Sequence, residues 1–282
     1  MAVECVYCCS GHPEVSVIIP SWDGNRGGNV LKLIQQLKAQ NLTSIEIILS
    51  VAESPNGYAR NLGADVAKGN FLVFIDDDVC LGHKRVLEHL IAPFNTSQGI
   101  GLTGVSQLIP PDANRFQRWC ANQIPRAISS VVEEITDSDM VTTMCLAIPR
   151  DLFYHVGKMN DRLLAGVDPD LRHRVRKAGY RVVVVPQTWA YHPAPESLRS
   201  LFRYAFRKGG YTAWQYRFSR DLMYDCPDGH VEEFADQTTL AYRVIRKGFR
   251  VLKEIVMLRP LGLIYDLSYT FGYLDGLVRR WS

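Results

Sequence analysis

Residues 15–75 alternate short apolar runs with amphipathic stretches, and this alternation constrains the fold more than any other feature. Residues 15–19, 45–51 and 71–75 are rich in Val, Ile, Leu and Phe, and Pro20 follows the first run. Such runs are typical of buried strands. Between the first two runs, helical i, i+3, i+4, i+7 spacing is kept by Val30, Leu33, Ile34 and Leu37. Strand–helix–strand order predicts an α/β fold with a Rossmann-like, mostly parallel central sheet flanked by helices.

The composition is that of a globular protein and excludes several other classes. Of the 282 residues, 47% are hydrophobic and 22% are charged, which excludes a disordered chain. A net charge of +3 gives no support for a nucleic-acid partner. The odd number of cysteines, seven, favours a reducing compartment over a disulfide framework. Because neither a signal peptide nor an uncharged apolar run of about 18 residues is recognisable, we expect a cytoplasmic protein.

Three adjacent carboxylates follow the third predicted strand, at Asp76, Asp77 and Asp78. In α/β sheets, ligands bind beyond the carboxyl ends of the strands, which is where this triplet lies. Asp76 and Asp78 point the same way in an extended chain and suit a divalent cation such as Mg²⁺ or Mn²⁺. The alternative is a solvated acidic turn, since Asp is a common turn residue. The position at a strand end favours the metal site.

Two further segments carry side chains that are candidates for catalysis or metal binding. Asp170 precedes a predicted helix and is expected to cap it, which leaves Asp168 free to act as a general base. Taken alone, this segment is more typical of a helix cap than of a catalytic loop. Further strands are predicted at 140–148 and 180–185, and a short helix at 171–178. His192 follows the last of these strands and is able to complete a metal site or contact a phosphate. An isolated histidine is more often a surface or core residue.

Taken together in order, these motifs resemble the family 2 glycosyltransferases of GT-A fold. The resemblance spans about residues 15–208. Its first half consists of the strand ending at Pro20, Arg-Asn-Leu-Gly at 60–63, Ala-Lys-Gly at 67–69 and the strand ending in the acidic triplet. Its second half consists of Cys-Leu-Ala-Ile at 145–148, Asp-Pro-Asp-Leu at 168–171 with Arg174, Pro186 and His192. Each motif is weak alone, whereas their order and spacing are specific.

The resemblance implies a metal-dependent transfer of a sugar from a nucleoside diphosphate sugar to a glycan or lipid-linked acceptor, with inversion at the anomeric carbon. It assigns Asp168 as the general base, Asp78 and His192 to the metal, and Asp170 to the acceptor or to a helix cap. It also assigns a nucleotide-sugar site, made of Pro20, Glu53, Arg60, Asp76 and Asp77. The implied cofactor is Mg²⁺ or Mn²⁺.

Two departures from the family pattern keep other functions open. Glu53 stands where the family usually has an aspartate, and Val167 stands where it usually has a glutamate before the base. Both departures favour a non-catalytic GT-A-like protein that binds a nucleotide or a partner at a membrane. The Gly-rich loop at 21–28 raises a weaker alternative, a sugar-phosphate nucleotidyltransferase. We rank it last because Pro20, Ser21 and Trp22 separate the strand from the glycines.

The chain is expected to divide into three regions. Residues 1–14 are predicted to be a mobile tail, and residues 15–225 a GT-A domain with a nucleotide-sugar half (15–108) and an acceptor half (109–225). Residues 226–282 are predicted to form an amphipathic helical extension, in which basic residues between 243 and 253 recur at helical spacing. We expect residues 240–282 to bind an anionic membrane peripherally, on the inner face of the cell membrane. The alternatives are a helix hairpin that extends the core with its arginines in water, or one that forms a dimer.

Overall fold

The computed structural model describes residues 2–52, 56–224 and 239–279, with only the backbone described for Asn56. The strands are β1 Ala2–Cys8, β2 Val15–Ser21, β3 Ile45–Val51, β4 Phe71–Ile75, β5 Cys80–Leu81, β6 Ile100–Leu108, β7 Thr136–Asp137, β8 Cys145–Pro149 and β9 Arg181–Tyr191. The helices are α1 Asn29–Lys38, α2 Asn56–Val66, α3 Val86–Thr96, α4 Arg115–Ala121, α5 Arg150–His155, α6 Val167–Lys177, α7 Leu198–Phe218, α8 Leu240–Val256 and α9 Pro260–Val278.

The described strands form one sheet in the order β1-β3-β2-β4-β8-β6-β9-β5, with β7 paired to β9. The strands β3, β2 and β4 run parallel, as the alternation of strands and helices predicts. Parallel pairing also joins β6 to β9. The other pairings are antiparallel, and those of β8 with β4 and β6 join the two halves of the chain. The predicted α/β fold with a central sheet flanked by helices is confirmed, whereas the division into domains stays a prediction.

The sheet separates two apolar layers, because successive side chains of a strand point to opposite faces. Val17 and Ile19 of β2 pack with residues of α1 and α3 on one face. Ile18 packs with residues of α2, α5 and α6 on the other face. Every residue of β2 is buried, which explains why the strand reads as an uninterrupted apolar run. This two-sided packing fixes the strand ends that carry the polar groups described below.

The N-terminal residues differ from the expected mobile tail. Ala2–Cys8 forms β1, which pairs antiparallel with β3 at the edge of the sheet. Val3, Val6 and Tyr7 are partly buried against the two apolar layers. Most of the strand is exposed, so its sequence lacks the apolar run of a buried strand. Its partners in β3 lie 38 to 49 positions away along the chain, so the pairing leaves no local pattern to recognise.

The acceptor half also differs from its predicted boundaries. A strand was expected from about residue 140, but β8 begins at Cys145. The strand expected at 180–185 continues as β9 to Tyr191, which places His192 directly after its end. Helix α6 begins at Val167, four residues before its expected start. Gly166 precedes it in the left-handed region, with φ 77°, which sets the direction in which the helix starts.

Helices α7 and α9 pack very closely where glycines meet the opposite backbone. A Cβ atom added to Gly272 would lie 1.9 Å from the carbonyl oxygen of Phe206, and one added to Gly209 would lie 2.0 Å from that of Tyr269. A third apolar cluster, which includes Leu201 and Tyr265, joins these helices to α4. The extension is therefore built onto the main body through α9. Among the described helices, none is long and apolar enough to cross a membrane.

Helix α8 lies with its polar side toward the protein and its apolar side outward. Asp266 of α9 is fully buried and pairs with Lys247 and Arg250 of α8. Phe249 and Val256, on the other side of α8, are 68% and 73% exposed. A hairpin with its arginines in water was expected to pack the apolar side of α8 against the protein. The structure shows the opposite orientation. Buried Asp266 and Glu254 explain it, because each pairs with basic side chains inside the extension.

Candidate active site at the carboxyl ends of the strands

Three potential metal ligands meet where β4 and β9 end. One ligand atom from each of Asp76, Asp78 and His192 lies within 4.8 Å of the other two. His192 Nε2 lies 3.5 Å from Asp78 Oδ1. Among the described residues, this is the group that gathers three such side chains. The predicted pair of Asp78 and His192 therefore has a third member, Asp76, which the sequence had assigned to the nucleotide sugar.

Backbone pairing holds these groups together. The Asp76 amide donates to the Met144 carbonyl (3.1 Å), which continues the β4–β8 pairing past the strand end. The Val79 amide donates to the Asp76 carbonyl (3.2 Å), so the triplet turns. The chain then pairs through β5 with the end of β9, Cys80 opposite Tyr191. This pairing brings Asp78 and His192 into contact across more than 100 residues.

Two arginines offset the charge of the triplet. Arg60 of α2 is 3% exposed and forms an ion pair with Asp76. Arg26, from the loop after β2, places Nη2 2.8 Å from Asp78 Oδ2 and Nε 3.8 Å from Asp77 Oδ1. Burial is the largest cause that raises the pKa of Asp76 to about 6; the Arg60 cation opposes this shift and the Asp78 charge adds to it. The site is thus a partly compensated cluster of carboxylates that favours a cation.

Asp77 differs in its contacts from its two neighbours. It is buried, and Asp77 Oδ2 accepts a hydrogen bond from the Ser21 hydroxyl (2.6 Å). Burial raises the pKa of this carboxyl, and the bond from Ser21 opposes that shift. The contact ties the end of β2 to the end of β4. Asp77 is not part of the three-ligand group, and its assignment to the nucleotide sugar stays a prediction.

Asp168 lies close to the metal group, in the first turn of α6. Its Oδ1 accepts from the Thr143 backbone amide (3.1 Å), and the side chain is half-buried. The next residue, Met144, accepts from the Asp76 amide, so adjacent residues bond to Asp168 and to Asp76. A carboxylate held this way by one backbone bond retains lone pairs with which to accept a proton. The role of general base stays a prediction.

Asp170 is not the helix cap that the sequence predicted. Helix α6 starts at Val167 with Gly166 as the N-cap, so Asp170 lies beyond the cap position. Its carboxylate is 1% exposed and accepts from Arg174 Nη2 (2.6 Å) and Nε (3.0 Å). This i, i+4 ion pair leaves Asp170 occupied within its own helix. Its predicted alternative role toward the acceptor is not tested by this contact.

The remaining predicted donor residues lie at the same edge of the sheet or outside the described residues. Pro20 is buried in β2, opposite Ser50 of β3 and one residue before Ser21. Glu53 lies outside the residues that the structure describes. Arg26 and Ser21, both in the Gly-rich loop at 21–28, belong to no motif that the sequence offered. Arg26 is the single arginine of a loop that follows a strand end, and that position was the signal by which it could have been found.

The structure has the features that the resemblance to GT-A glycosyltransferases implies: a sheet flanked by helices, with acidic side chains gathered beyond the carboxyl ends of its strands. The family model described as "Glycosyltransferase like family 2" matches residues 3–210. The chain therefore belongs to this family and is a glycosyltransferase. The resemblance stated from its motifs is confirmed. No curated protein matches the chain by sequence.

Solved structures share the fold at low sequence identity. The chain is similar to the mannosyltransferase PcManGT from Pyrobaculum calidifontis, in complex with GDP-Man and Mn²⁺. The two are 10% identical over 99% of this chain and 91% of that one, with a TM-score of 0.61. TarS 1-349 of S. aureus is 12% identical over 95% of this chain and 94% of its own, with a TM-score of 0.48.

Proposed function

We propose that the protein is a metal-dependent inverting glycosyltransferase, which transfers a sugar from a nucleoside diphosphate sugar to a hydroxyl of a glycan or lipid-linked acceptor. The observation that carries the proposal is the meeting of Asp76, Asp78 and His192. Asp168 bonds to the Thr143 amide, next to the Met144 carbonyl that accepts from the Asp76 amide. The donor class is supported by family membership and by the GDP-Man bound to the mannosyltransferase of similar fold.

The ligand set fits a divalent cation such as Mn²⁺ or Mg²⁺. Two carboxylates supply oxygen ligands, which these ions prefer, and His192 adds a nitrogen ligand. Three protein ligands leave coordination positions for phosphate oxygens and water. Asp76, Asp78 and His192 would hold the ion, which when bound stabilises negative charge on the leaving diphosphate. Mn²⁺ in the complex of PcManGT supports the same class of metal.

The proposed reaction gives Asp168 the part of general base. Its carboxylate takes the proton of the acceptor hydroxyl while the acceptor oxygen bonds to the anomeric carbon. The bond from that carbon to the diphosphate oxygen breaks, and its electron pair leaves with the diphosphate. Attack from the face opposite the leaving group inverts the anomeric centre. The Thr143 amide orients Asp168 for this step through its bond to Oδ1.

The substitution Asp168→Asn tests the base. We expect the rate of transfer to fall by about 10²–10⁴-fold, the usual contribution of a general base, with metal-dependent donor binding unchanged. Asp151→Asn is the matched control because Asp151 is an exposed acidic residue in the first turn of α5. It should retain the wild-type rate. An Asp168→Asn variant with a near-normal rate would show that another group takes the proton.

We further propose that α8 and α9 rest on the inner face of the cell membrane. The exposed apolar sides of both helices support this, with Phe249 and Val256 on α8 and Phe271 and Val278 on α9. Because Lys247 and Arg250 pair inward with Asp266, contact with lipid rests on apolar side chains more than on the predicted basic stripe. A surface site would suit a lipid-linked acceptor.

Vesicle flotation tests this placement. Wild-type protein should float with vesicles that contain anionic lipid, and Phe249→Asp should float less. Leu31→Asp is the matched control, since Leu31 is similarly exposed (61%) but lies on α1. Equal flotation of both variants, or wild-type protein that stays at the bottom, would contradict the proposal.

A further inference from the structure

Arg26 contacts Asp78, one of the proposed metal ligands, from a loop that the proposed reaction leaves without a role. Arg26 and Asp78 are 52 residues apart in sequence, so the fold, not the local chain, makes their 2.8 Å contact. The Arg26 side chain is 52% exposed, whereas that of Asp78 is 15% exposed. An exposed cation thus sits on one oxygen of a carboxylate whose other oxygen faces His192.

The loop backbone is held independently of this contact. Asp23 Oδ1 accepts from the amides of Asn25 (2.9 Å) and Arg26 (2.7 Å), and Asn25 Oδ1 accepts from the Gly28 amide (3.1 Å). Arg26 itself has φ 46°, between glycines that also have positive φ. The long side chain is therefore able to leave Asp78 by rotation while the backbone bonds of the loop persist.

Arg26 and a divalent ion compete for the same negative charge. An ion held by Asp76, Asp78 and His192 would lie beside the guanidinium, and the two positive charges would repel each other. A diphosphate bound to that ion would come within reach of Arg26, and guanidinium pairs with phosphate oxygens through two hydrogen bonds. The arginine then has a better partner than Asp78.

We propose that Arg26 is a donor-binding residue that occupies the metal-binding carboxylate of Asp78 until the diphosphate of the donor arrives and then pairs with it. The inference rests on the proposed metal-dependent function. It makes metal and diphosphate binding cooperative, because Arg26 weakens the metal in the free protein and strengthens the diphosphate in the complex.

The test measures Mn²⁺ binding to the protein without nucleotide. The electron paramagnetic resonance signal of unbound Mn²⁺ reports how much of the ion remains free. One charge about 5 Å from a divalent ion, in water with physiological salt, changes affinity by about five- to tenfold. We expect Arg26→Ala to bind Mn²⁺ tighter by that factor and Arg26→Lys to stay near wild type. Arg85→Ala is the matched control, since Arg85 also forms an exposed ion pair, with Glu88.

Nucleotide binding supplies the second arm. In saturating Mn²⁺, calorimetry with UDP and with GDP should show weaker binding to Arg26→Ala than to wild type. If the wild type binds Mn²⁺ and Arg26→Ala binds it equally or more weakly, the role of Arg26 is overturned but the proposed metal site is not. Unchanged nucleotide affinity would overturn the pairing with diphosphate. Absence of Mn²⁺ binding in both proteins would overturn the proposed metal site together with the inference.

Discussion

Asp266 determines which side of α8 faces the protein, and its neutralisation tests this arrangement. Its carboxylate is fully buried, with Lys247 Nζ at 2.5 Å and Arg250 Nε at 3.0 Å. Burial lowers the pKa of Lys247, and the charge of Asp266 opposes that shift. Asp266→Asn keeps the shape of the side chain and removes the charge, which leaves two cations facing a neutral amide.

The expected cost follows from the burial of the three groups. Removing one partner of a buried ion pair costs about 3–5 kcal/mol. The side chains of Lys247 and Arg250 are 28% and 25% exposed, so water solvates part of their charge and the lower end applies. A cost of about 3 kcal/mol changes an equilibrium roughly 150-fold. We expect local opening of α8 to become more frequent by about that factor.

Hydrogen–deuterium exchange measures this opening in the folded protein. Peptides from residues 240–256 should exchange about 100-fold faster in Asp266→Asn, while peptides from β4 should be unchanged. Asp275→Asn is the matched control, because Asp275 is an exposed acid on the same helix α9. Exchange in α8 within about threefold of wild type, or equal acceleration in the control, would refute the inward-facing ion pairs as the cause of the orientation.

Two further predictions concern the helix crossing and the metal site. Gly272→Ala should lower the free energy of unfolding, measured in urea, by about 3 kcal/mol, because its Cβ would overlap the Phe206 carbonyl. The control Gly248→Ala, whose Cβ meets no atom within 4 Å, should be neutral or stabilising. Equal effects of the two substitutions would contradict the close crossing of α7 and α9. Mn²⁺ affinity should fall about tenfold from pH 7 to pH 5, because the Asp76 pKa of about 6 means that the carboxylate binds a proton in place of metal as the pH falls. The pH dependence should persist in His192→Gln, which removes the imidazole; a flat profile in that variant would assign the titration to histidine.

The strands that carry the site were predictable because their signals are local. The run at 71–75 is buried on both faces, and the triplet follows it directly, so the acidic cluster and its place in the sheet could be inferred from adjacent residues. The contact of His192 with Asp78 depends on the pairing of β5 with β9. The expectation that both residues bind the metal came from the order of family motifs, not from periodicity.

The features that escaped prediction depend on contacts between distant residues. The edge strand β1 is recognisable only through its pairing with β3. The helical spacing of α8 identifies an apolar and a basic side, but the side that faces the protein depends on buried Asp266 of α9. Arg26 stands in a loop without periodicity, and only the fold brings it to Asp78.

The central claim, a metal-dependent nucleotide-sugar site built on Asp78, is tested most directly by thermal shift. UDP-, GDP- and dTDP-sugars are offered to the wild type and to Asp78→Ala, with Mn²⁺ and with EDTA, and exposed Asp161→Ala serves as the control. We predict that one nucleotide class raises the melting temperature of the wild type and the control in Mn²⁺ only, and that Asp78→Ala loses this shift. A folded wild type that responds to no nucleotide sugar, or an equal shift in EDTA or in Asp78→Ala, would contradict the claim.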